Sequence, residues 1–171
     1  PAAAAATDLR AWLAAADRRL DEGLRLAQAR RESMLKLMAA RPAEAMAQSL
    51  SWSEWAALPE PVRALVERPF SASVAYELVP GCAPSKGLAR RVKLEGAWRD
   101  AYVYGSKVQM TSKDPLFARG FELDGQVALA DTAVESLTGA DLETARRLFP
   151  TANEPGVFWM SQKPTGANGR T

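Results

Sequence analysis

Residues 121–129 of the chain read Phe121-Glu122-Leu123-Asp124-Gly125-Gln126-Val127-Ala128-Leu129. Apolar side chains flank the central Asp-Gly pair on both sides, and Asp-Gly favours the type I′ turn, whose twist matches that of two paired strands. The stretch therefore predicts a β-hairpin, and it is the strongest local fold signal in the sequence.

Further strand-like segments lie upstream of this hairpin. Leu88 to Leu94 and Trp98 to Tyr104 surround Glu95-Gly96, which predicts a second hairpin. Before them, the residues that alternate with smaller or charged ones are Val74, Tyr76 and Leu78. We therefore expect antiparallel strands from about residue 72 to about residue 130.

The residues before Pro69 carry a helical apolar period. From an N-cap at Thr7 or Asp8, apolar residues recur at spacings of three and four over about 30 residues, which predicts one amphipathic helix roughly 45 Å long. Its apolar stripe contains Leu9, Leu13, Ala16, Leu20, Leu24, Ala27, Met34, Leu35 and Met38. The opposite face, for which we expect solvent exposure and partial pairing, carries Asp17, Arg18, Asp21, Glu22, Arg25, Arg30 and Arg31. Gly23 is the predicted position of a break or kink.

Proline and capping signals predict three shorter helices before residue 69. Pro42 fits the first turn of a helix to Leu50, Ser51-x-x-Glu54 has the spacing of a capping box, and Pro61 begins a helix to about Glu67. The tryptophans on these helix faces, for which packing is the favoured explanation, are Trp12, Trp52 and Trp55.

Two elements are expected after the hairpins. Thr138-x-x-Asp141 begins a last helix to about Phe149, and Val157-Phe158-Trp159-Met160 predicts one short strand. The predicted fold class is therefore α+β: a helical N-terminal part, with one long helix and shorter ones, packed on a small antiparallel β-sheet and followed by a C-terminal helix.

The length of 171 residues suits one domain with tails. We expect a flexible N-terminus at residues 1–7 and a single domain at 8–160, with a helical part at 8–69 and mainly antiparallel sheet plus helix at 70–160. Residues 161–171 hold small, polar and helix-breaking types, which predicts an exposed linker. Within this linker, Lys163 and Arg170 are candidates for the processing region.

Composition excludes several classes of activity from this chain. Histidine is absent and Cys82 is the single cysteine, so Ser-His and Cys-His nucleophile pairs, internal disulfides and four-thiolate metal sites cannot form within it. A formal net charge of +2 predicts no nucleic-acid partner. No apolar run is long enough to predict a membrane span, and no glycine-rich phosphate loop occurs.

Two kinds of residue remain as candidates for chemistry. Paired carboxylates such as Asp114 with Glu122 or Asp124 are explained as turn, strand-surface or capping residues, so we expect no catalytic role for them. Cys82 lies in a loop bounded by Pro80-Gly81 and Ala83-Pro84. Its thiol is either a small semi-buried side chain or a thiolate offered to a metal in another polypeptide segment, where it would displace a zinc-bound water.

The order of several segments resembles the amino-terminal, prodomain-like region of large secreted bacterial proteins, notably zinc metallopeptidases. The segments are Arg31 to Leu35, Arg41 to Ala45, Leu58 to Pro69, Asp100 to Gly105 and Phe121 to Leu129. The loop around Cys82 is also similar to the cysteine-switch loop of matrix metalloproteinase propeptides. Gly81 stands where those loops have arginine, so Arg90 or Arg91 would have to supply that cation.

This resemblance implies a non-catalytic prodomain of a secreted protein. It would keep a downstream metallopeptidase domain latent and assist its folding, with Cys82 as inhibitory ligand to the zinc of that domain and with no cofactor in this chain. The alternative is a non-inhibitory interaction or folding module of a large secreted or surface protein, with the long helix as its docking element.

Overall fold

Helices precede a block of strands in the part of the chain that the structure, a computed structural model, describes: residues 2–80, 88–110 and 115–148. In chain order the elements are α1 (Ala2–Ala14), α2 (Leu20–Ala40), α3 (Pro42–Gln48), α4 (Trp52–Ala57), α5 (Glu60–Arg63), β1 (Arg68–Pro80), β2 (Leu88–Leu94), β3 (Ala97–Tyr102), a 3₁₀ helix (Gly105–Gln109), β4 (Leu116–Leu123), β5 (Gln126–Leu129) and α6 (Gly139–Leu148). The expected mixture of helices and strands is confirmed.

The five strands form a closed barrel in the order β1-β2-β3-β5-β4. Four pairs are antiparallel, but β3 and β5 run parallel, with Ala101 opposite Val127. The prediction of a small antiparallel sheet was therefore wrong in two respects. The sheet closes into a barrel, and its β3–β5 pair is parallel. A closed five-stranded barrel by itself assigns no ligand.

The length of β1 allows the barrel to close. Its first part pairs with β4 from Arg68 to Val74, and its second part pairs with β2 from Ala75 to Pro80. On β4, Gly120 lies so close to β5 that a Cβ atom would overlap the carbonyl of Ala128. A side chain at this position would therefore disrupt the β4–β5 contact.

Both predicted hairpin turns are confirmed. Asp124 and Gly125 have φ angles of 52° and 69°, and Glu95 and Gly96 have φ angles of 51° and 84°. Positive φ at both central residues is the signature of the type I′ turn. The two-residue connections fix the β4–β5 and β2–β3 registers.

The predicted long helix is wrong, because the chain breaks between Ala14 and Leu20 into α1 and α2. α1 begins at Ala2, so Thr7 and Asp8 lie inside it and are not its N-cap. The break is also not at Gly23, which lies within α2 against the indole of Trp12. The indole Nε1 donates to the carbonyl of Arg19 at 3.2 Å, so Trp12 contacts both the connection and the next helix. Two packed helices bury apolar area that one extended helix would leave in water.

The remaining helices follow the predictions closely. α3 begins at Pro42, and α4 has the full capping box between Ser51 and Glu54. α5 has Pro61 in its first turn and ends at Arg63, earlier than expected. Of the tryptophans, Trp12 is buried, whereas Trp52 and Trp55 are only half-buried.

Three apolar clusters join the parts, and we call α1–α5 the helical layer. Within it, α1, α2 and α5 share a cluster that contains Leu9, Trp12, Leu26 and Val62. The barrel interior contains Phe70, Val74, Tyr76, Val92 and Leu129. Between them, α2 and α3 pack on the outside of β4 and β5 through Met34, Met38, Ala45, Phe121 and Ala128.

Candidate functional site

The end of the barrel where β1 meets β2 carries the predicted zinc-blocking segment. Pro80 pairs with Leu88 in the register of the two strands. The prediction that Pro80 belongs to a loop is therefore wrong, because Pro80 is the last residue of β1. The other residues of that prediction, Gly81, Cys82, Ala83 and Pro84, lie outside the described residues. Leu88 and Ala89, which follow the segment in the chain, are exposed.

The 3₁₀ helix lies across this end of the barrel. The hydroxyl of Tyr76 on β1 donates to the carbonyl of Lys107 at 3.4 Å, and Arg90 Nη2 on β2 donates to the carbonyl of Val108. Burial raises the pKa of the Tyr76 hydroxyl, and the positive charge of Arg90 opposes that rise. β1, β2 and the 3₁₀ helix therefore meet near Arg90, at the end of the barrel where the chain leaves β1.

A buried lysine links the 3₁₀ helix to the segment after β5. Lys107 Nζ donates to the carbonyl of Asp131 at 2.8 Å, while the carboxylate of Asp131 accepts from the Ser106 hydroxyl at 2.6 Å and its amide at 2.8 Å. Burial lowers the pKa of Lys107, and the hydrogen bonds from Ser106 lower the pKa of Asp131. These contacts fix the 3₁₀ helix in place.

Arg90 and Arg91, the two candidates to replace the missing loop arginine, have different surroundings. Arg90 contacts the 3₁₀ helix, and its Nε atom is buried without a partner among the described residues. Arg91 lies over the ring of Trp98, 5.8 Å from its centroid, on the outer face of β2 and β3. Of the two side chains, that of Arg90 therefore contacts the 3₁₀ helix at the end of the barrel where β1 meets β2.

The carboxylates considered for acid–base chemistry are held by arginines. Glu122 accepts from Arg68 at 2.6 Å and from Arg99 at 2.7 Å. Burial raises the pKa of Glu122, but these two hydrogen bonds outweigh it and hold the pKa below its usual value. Asp124 accepts from Arg31 Nε at 2.9 Å, and Asp114 lies outside the described residues. These contacts join strands and helices, as expected for structural residues.

A cavity of about 350 Å³ lies between the helical layer, the barrel and the start of α6. Its charged groups are paired within the chain: Arg10 donates to Glu54 at 2.7 Å, Arg119 donates to Glu135 at 2.9 Å, and Asp141 accepts from the Ser53 amide at 2.8 Å. Burial raises the pKa values of Glu54 and Asp141, but their hydrogen bonds hold both pKa values below the usual range. These two acids therefore remain ionised and carry no proton for general acid catalysis at neutral pH.

One ion pair was missed by the sequence analysis, which placed Arg30 on the solvent face. Arg30 is fully buried and binds fully buried Glu67, with Nε to Oε2 at 3.0 Å. Arg30 Nη2 also donates to the carbonyl of Gln48 at 2.7 Å, and Glu67 Oε1 accepts from the Leu50 amide at 2.9 Å. The pair ties α2, the α3–α4 connection and the start of β1 to one another. Its role is architectural, because all of these partners belong to the chain.

Comparisons with known proteins give no relative. No family model matches the sequence, and neither the curated proteins nor the solved structures contain a match. Within residues 2–80, 88–110 and 115–148, no three cysteine or acidic side chains are grouped to hold a metal ion. In the same residues, no helix has both the length and the apolar character needed to cross a bilayer.

Proposed function

We propose that this chain is the prodomain of a secreted bacterial zinc metallopeptidase, which keeps the downstream catalytic domain latent and assists its folding. The observation that carries the proposal is the exposure of Leu88 and Ala89, the first residues of β2, which follow the Cys82 segment in the chain. A connection between paired strands is anchored at both ends, so a partner domain can be contacted without unfolding the barrel. The resemblance in segment order supports the same function.

The proposed inhibitory step is a ligand exchange at the zinc of the downstream domain. Cys82 would be the residue of this chain that holds that zinc, as a thiolate in the fourth position that a catalytic site otherwise leaves to water or substrate. Thiolates are favoured near cations. Arg90 on β2 and Lys86 in the segment are the cations that the chain offers beside Cys82 in sequence. Activation requires cleavage after the domain, for which Lys163 and Arg170 remain the candidate sites.

The test compares proteolytic activity of the full-length protein before processing. Cys82→Ser should make the unprocessed enzyme active, whereas the control Ser85→Ala in the same segment should leave it latent. The Cys82 thiol of the isolated chain should also react with a soluble disulfide reagent at a rate close to that of a free thiol. An unreactive thiol together with unchanged latency of the Cys82→Ser protein would refute the inhibitory role.

The second candidate is a non-inhibitory interaction module, which one observation favours in a revised form. The long docking helix of the earlier expectation is replaced by two packed helices, but Trp98 is 36% exposed on the outer face of β2 and β3 beside Lys93, its register partner. In the same full-length assay, Trp98→Ser should leave latency unchanged under the prodomain proposal. If instead Trp98→Ser impairs secretion or folding while Cys82→Ser changes nothing, the interaction module is the better assignment.

A further inference from the structure

The cavity between the helical layer, the barrel and the start of α6 has walls from separate parts of the chain. Its volume of about 350 Å³ lies in the range of small-molecule sites, about 300–1,000 Å³. α4 contributes Trp52 and Glu54, two adjacent strands of the barrel contribute Ser71 and Arg119, and α6 contributes Asp141. A molecule bound here would contact the helical layer and the barrel together.

The barrel wall of this cavity presents a hydroxyl beside a guanidinium group. Ser71 on β1 lies opposite Arg119 on β4 in the strand register. Phe70 and Ala72, the neighbours of Ser71, lie in the barrel interior, so the Ser71 side chain lies on the outer face that borders the cavity. Arg119 Nη1 donates to Glu135 at 2.9 Å, which holds the guanidinium group in place. A hydroxyl both donates and accepts hydrogen bonds, whereas a guanidinium group only donates them.

The helical wall of the cavity presents an ion pair beside an indole. Arg10 Nε donates to Glu54 Oε1 at 2.7 Å, and Arg10 Nη2 donates to the carbonyl of Ser49 at 2.8 Å. The same guanidinium group carries further N–H groups on Nη1. Trp52 is half-buried and Leu50 is buried, and both line the cavity. Polar groups in fixed positions therefore lie next to aromatic and apolar surface.

The charges that line the cavity already have partners within the chain. Each of the two guanidinium groups pairs with a glutamate. The third carboxylate, that of Asp141, accepts from the backbone amide of Ser53 at 2.8 Å. A charged ligand would bring a further charge among these groups, whereas a neutral ligand leaves every pair intact. A neutral ligand with several hydroxyl groups can accept from the guanidinium groups and donate to the carboxylates.

We propose that this cavity binds a neutral carbohydrate of one or two sugar rings. The sugar hydroxyls exchange hydrogen bonds with Ser71, Arg119 and Asp141, and the C–H face of a ring packs on the indole of Trp52. Recognition then depends on donors and acceptors in fixed positions and on aromatic surface, and not on charge. The inference does not depend on the metallopeptidase assignment, because none of these residues takes part in the inhibitory step.

Titration of the full 171-residue chain with sugars, followed by NMR of its amide and indole N–H groups, tests the proposal. The probes are glucose, N-acetylglucosamine and cellobiose. At least one of them should shift the indole N–H of Trp52 and the amides of Ser71 and Gly120, with a dissociation constant of about 1–10 mM. The amide of Lys93, outside the cavity lining, should not shift. Absence of the expected shifts with all three probes, even at tenfold higher concentration, would overturn the proposal.

Substitutions at two serines of β1 locate the bound sugar. Ser71→Leu places a larger apolar group in the cavity and should weaken binding at least tenfold, while Ser71→Ala removes only the hydroxyl and should weaken it about threefold. The control Ser73→Leu adds the same side chain at an exposed position of β1 outside the cavity lining, and the affinity should change less than twofold. The amide of Val127, inside the barrel, reports that the variants remain folded. Equal affinities of the Ser71→Leu and Ser73→Leu proteins would refute the proposed site.

Charged analogues of glucose test the argument from charge. Glucuronate adds a carboxylate and should bind at least tenfold more weakly than the best neutral sugar, because three carboxylates line the cavity. Glucosamine adds an ammonium group and should bind no more tightly than the best neutral sugar, because Asp141 already accepts from the Ser53 amide. Tighter binding of glucosamine would assign the cavity to a cation, and tighter binding of glucuronate would assign it to an anion. Either result would refute the proposal.

Discussion

In the barrel every strand lies between two neighbours, and a ladder of backbone hydrogen bonds runs around the whole sheet, whereas the helices of the helical layer meet through side chains. Their contacts concentrate at a few positions, among them Trp12 on Gly23 and Arg30 on Glu67. A ladder distributes its stability over many similar bonds. A junction of two side chains loses most of its stability when one of them is removed, so single substitutions should separate the two regions.

The ion pairs of two neighbouring residues, Glu67 and Arg68, show the same contrast. Glu67, before β1, and its partner Arg30 have no solvent exposure, whereas Arg68, the first residue of β1, shares partly exposed Glu95 and Glu122. When one member of the group around Arg68 is lost, water can solvate the charges that remain. Water cannot reach the Arg30–Glu67 pair, and an unpaired buried charge is strongly destabilising.

Removal of Arg30 should give the largest effect on stability. Arg30→Met leaves the Glu67 carboxylate buried without its cation, and the free energy of unfolding should fall by about 3–5 kcal/mol. The control Arg31→Met removes the half-exposed pair with Asp124 and should lower it by about 1 kcal/mol or less. Urea unfolding at pH 7, followed by tryptophan fluorescence, measures both.

A second variant separates loss of charge from loss of packing. Adding Glu67→Gln to Arg30→Met removes the unpaired charge but keeps an oxygen that accepts from the Leu50 amide, so part of the stability should return. Equal losses for Arg30→Met and Arg31→Met would show that burial does not distinguish the two pairs.

Gly23→Ala should give an intermediate effect in the helical layer. Alanine favours a helix over glycine by about 1 kcal/mol, but the added methyl group overlaps the indole of Trp12. Forcing the helices apart should outweigh the propensity and lower stability by about 1–3 kcal/mol. The same substitution in a Trp12→Leu background should be neutral or stabilising when compared with Trp12→Leu alone. A stabilising effect of Gly23→Ala in the natural background would show that the close approach is unimportant.

The smallest effect is expected in the barrel and depends on pH. The pKa of Glu122 is lower in the folded chain than its usual value, because Arg68 and Arg99 outweigh the effect of burial. Its contribution to stability is therefore complete above the unfolded pKa of about 4.3 and is lost as the pH falls through the folded value. Between about pH 5 and pH 3, the urea midpoint should fall less steeply for Glu122→Gln than for the natural chain. The control Glu60→Gln, at an exposed position of α5, should keep the natural slope. If the urea midpoint falls equally steeply with pH for the natural chain, Glu122→Gln and Glu60→Gln, ionised Glu122 does not stabilise the fold as stated.

Local signals in the sequence predicted the elements whose residues are adjacent in the chain. Asp124-Gly125 and Glu95-Gly96 gave two correct hairpins, and Ser51 with Glu54 gave a correct capping box. The same kind of signal failed between α1 and α2, because an amphipathic stripe continues through Ala16 and Leu20 although the helix does not. The helical spacing of apolar residues does not indicate whether they form one long helix or two shorter helices that pack on each other.

The burial of Arg30 was accessible to sequence reasoning in part. Ala27, Arg30 and Met34 are separated by three and four residues, so Arg30 falls on the apolar stripe rather than opposite it. Its partner was not accessible, because Glu67 lies 37 residues further along the chain. The same holds for the candidate site. The sequence identified Cys82 and its neighbours as candidates, but only the folded chain shows that Arg90 contacts the 3₁₀ helix.

The sequence by itself determined the α+β class, the turns and caps, and the exclusion of histidine-dependent chemistry from this chain, since composition and interactions over a few residues are sufficient for each. Only the tertiary structure decided that the strands close into a barrel, that β3 lies parallel to β5, and that Arg30 meets Glu67. Such contacts form between segments that are distant in sequence, and their free energy comes from the burial and hydrogen bonding of groups that no local pattern brings together.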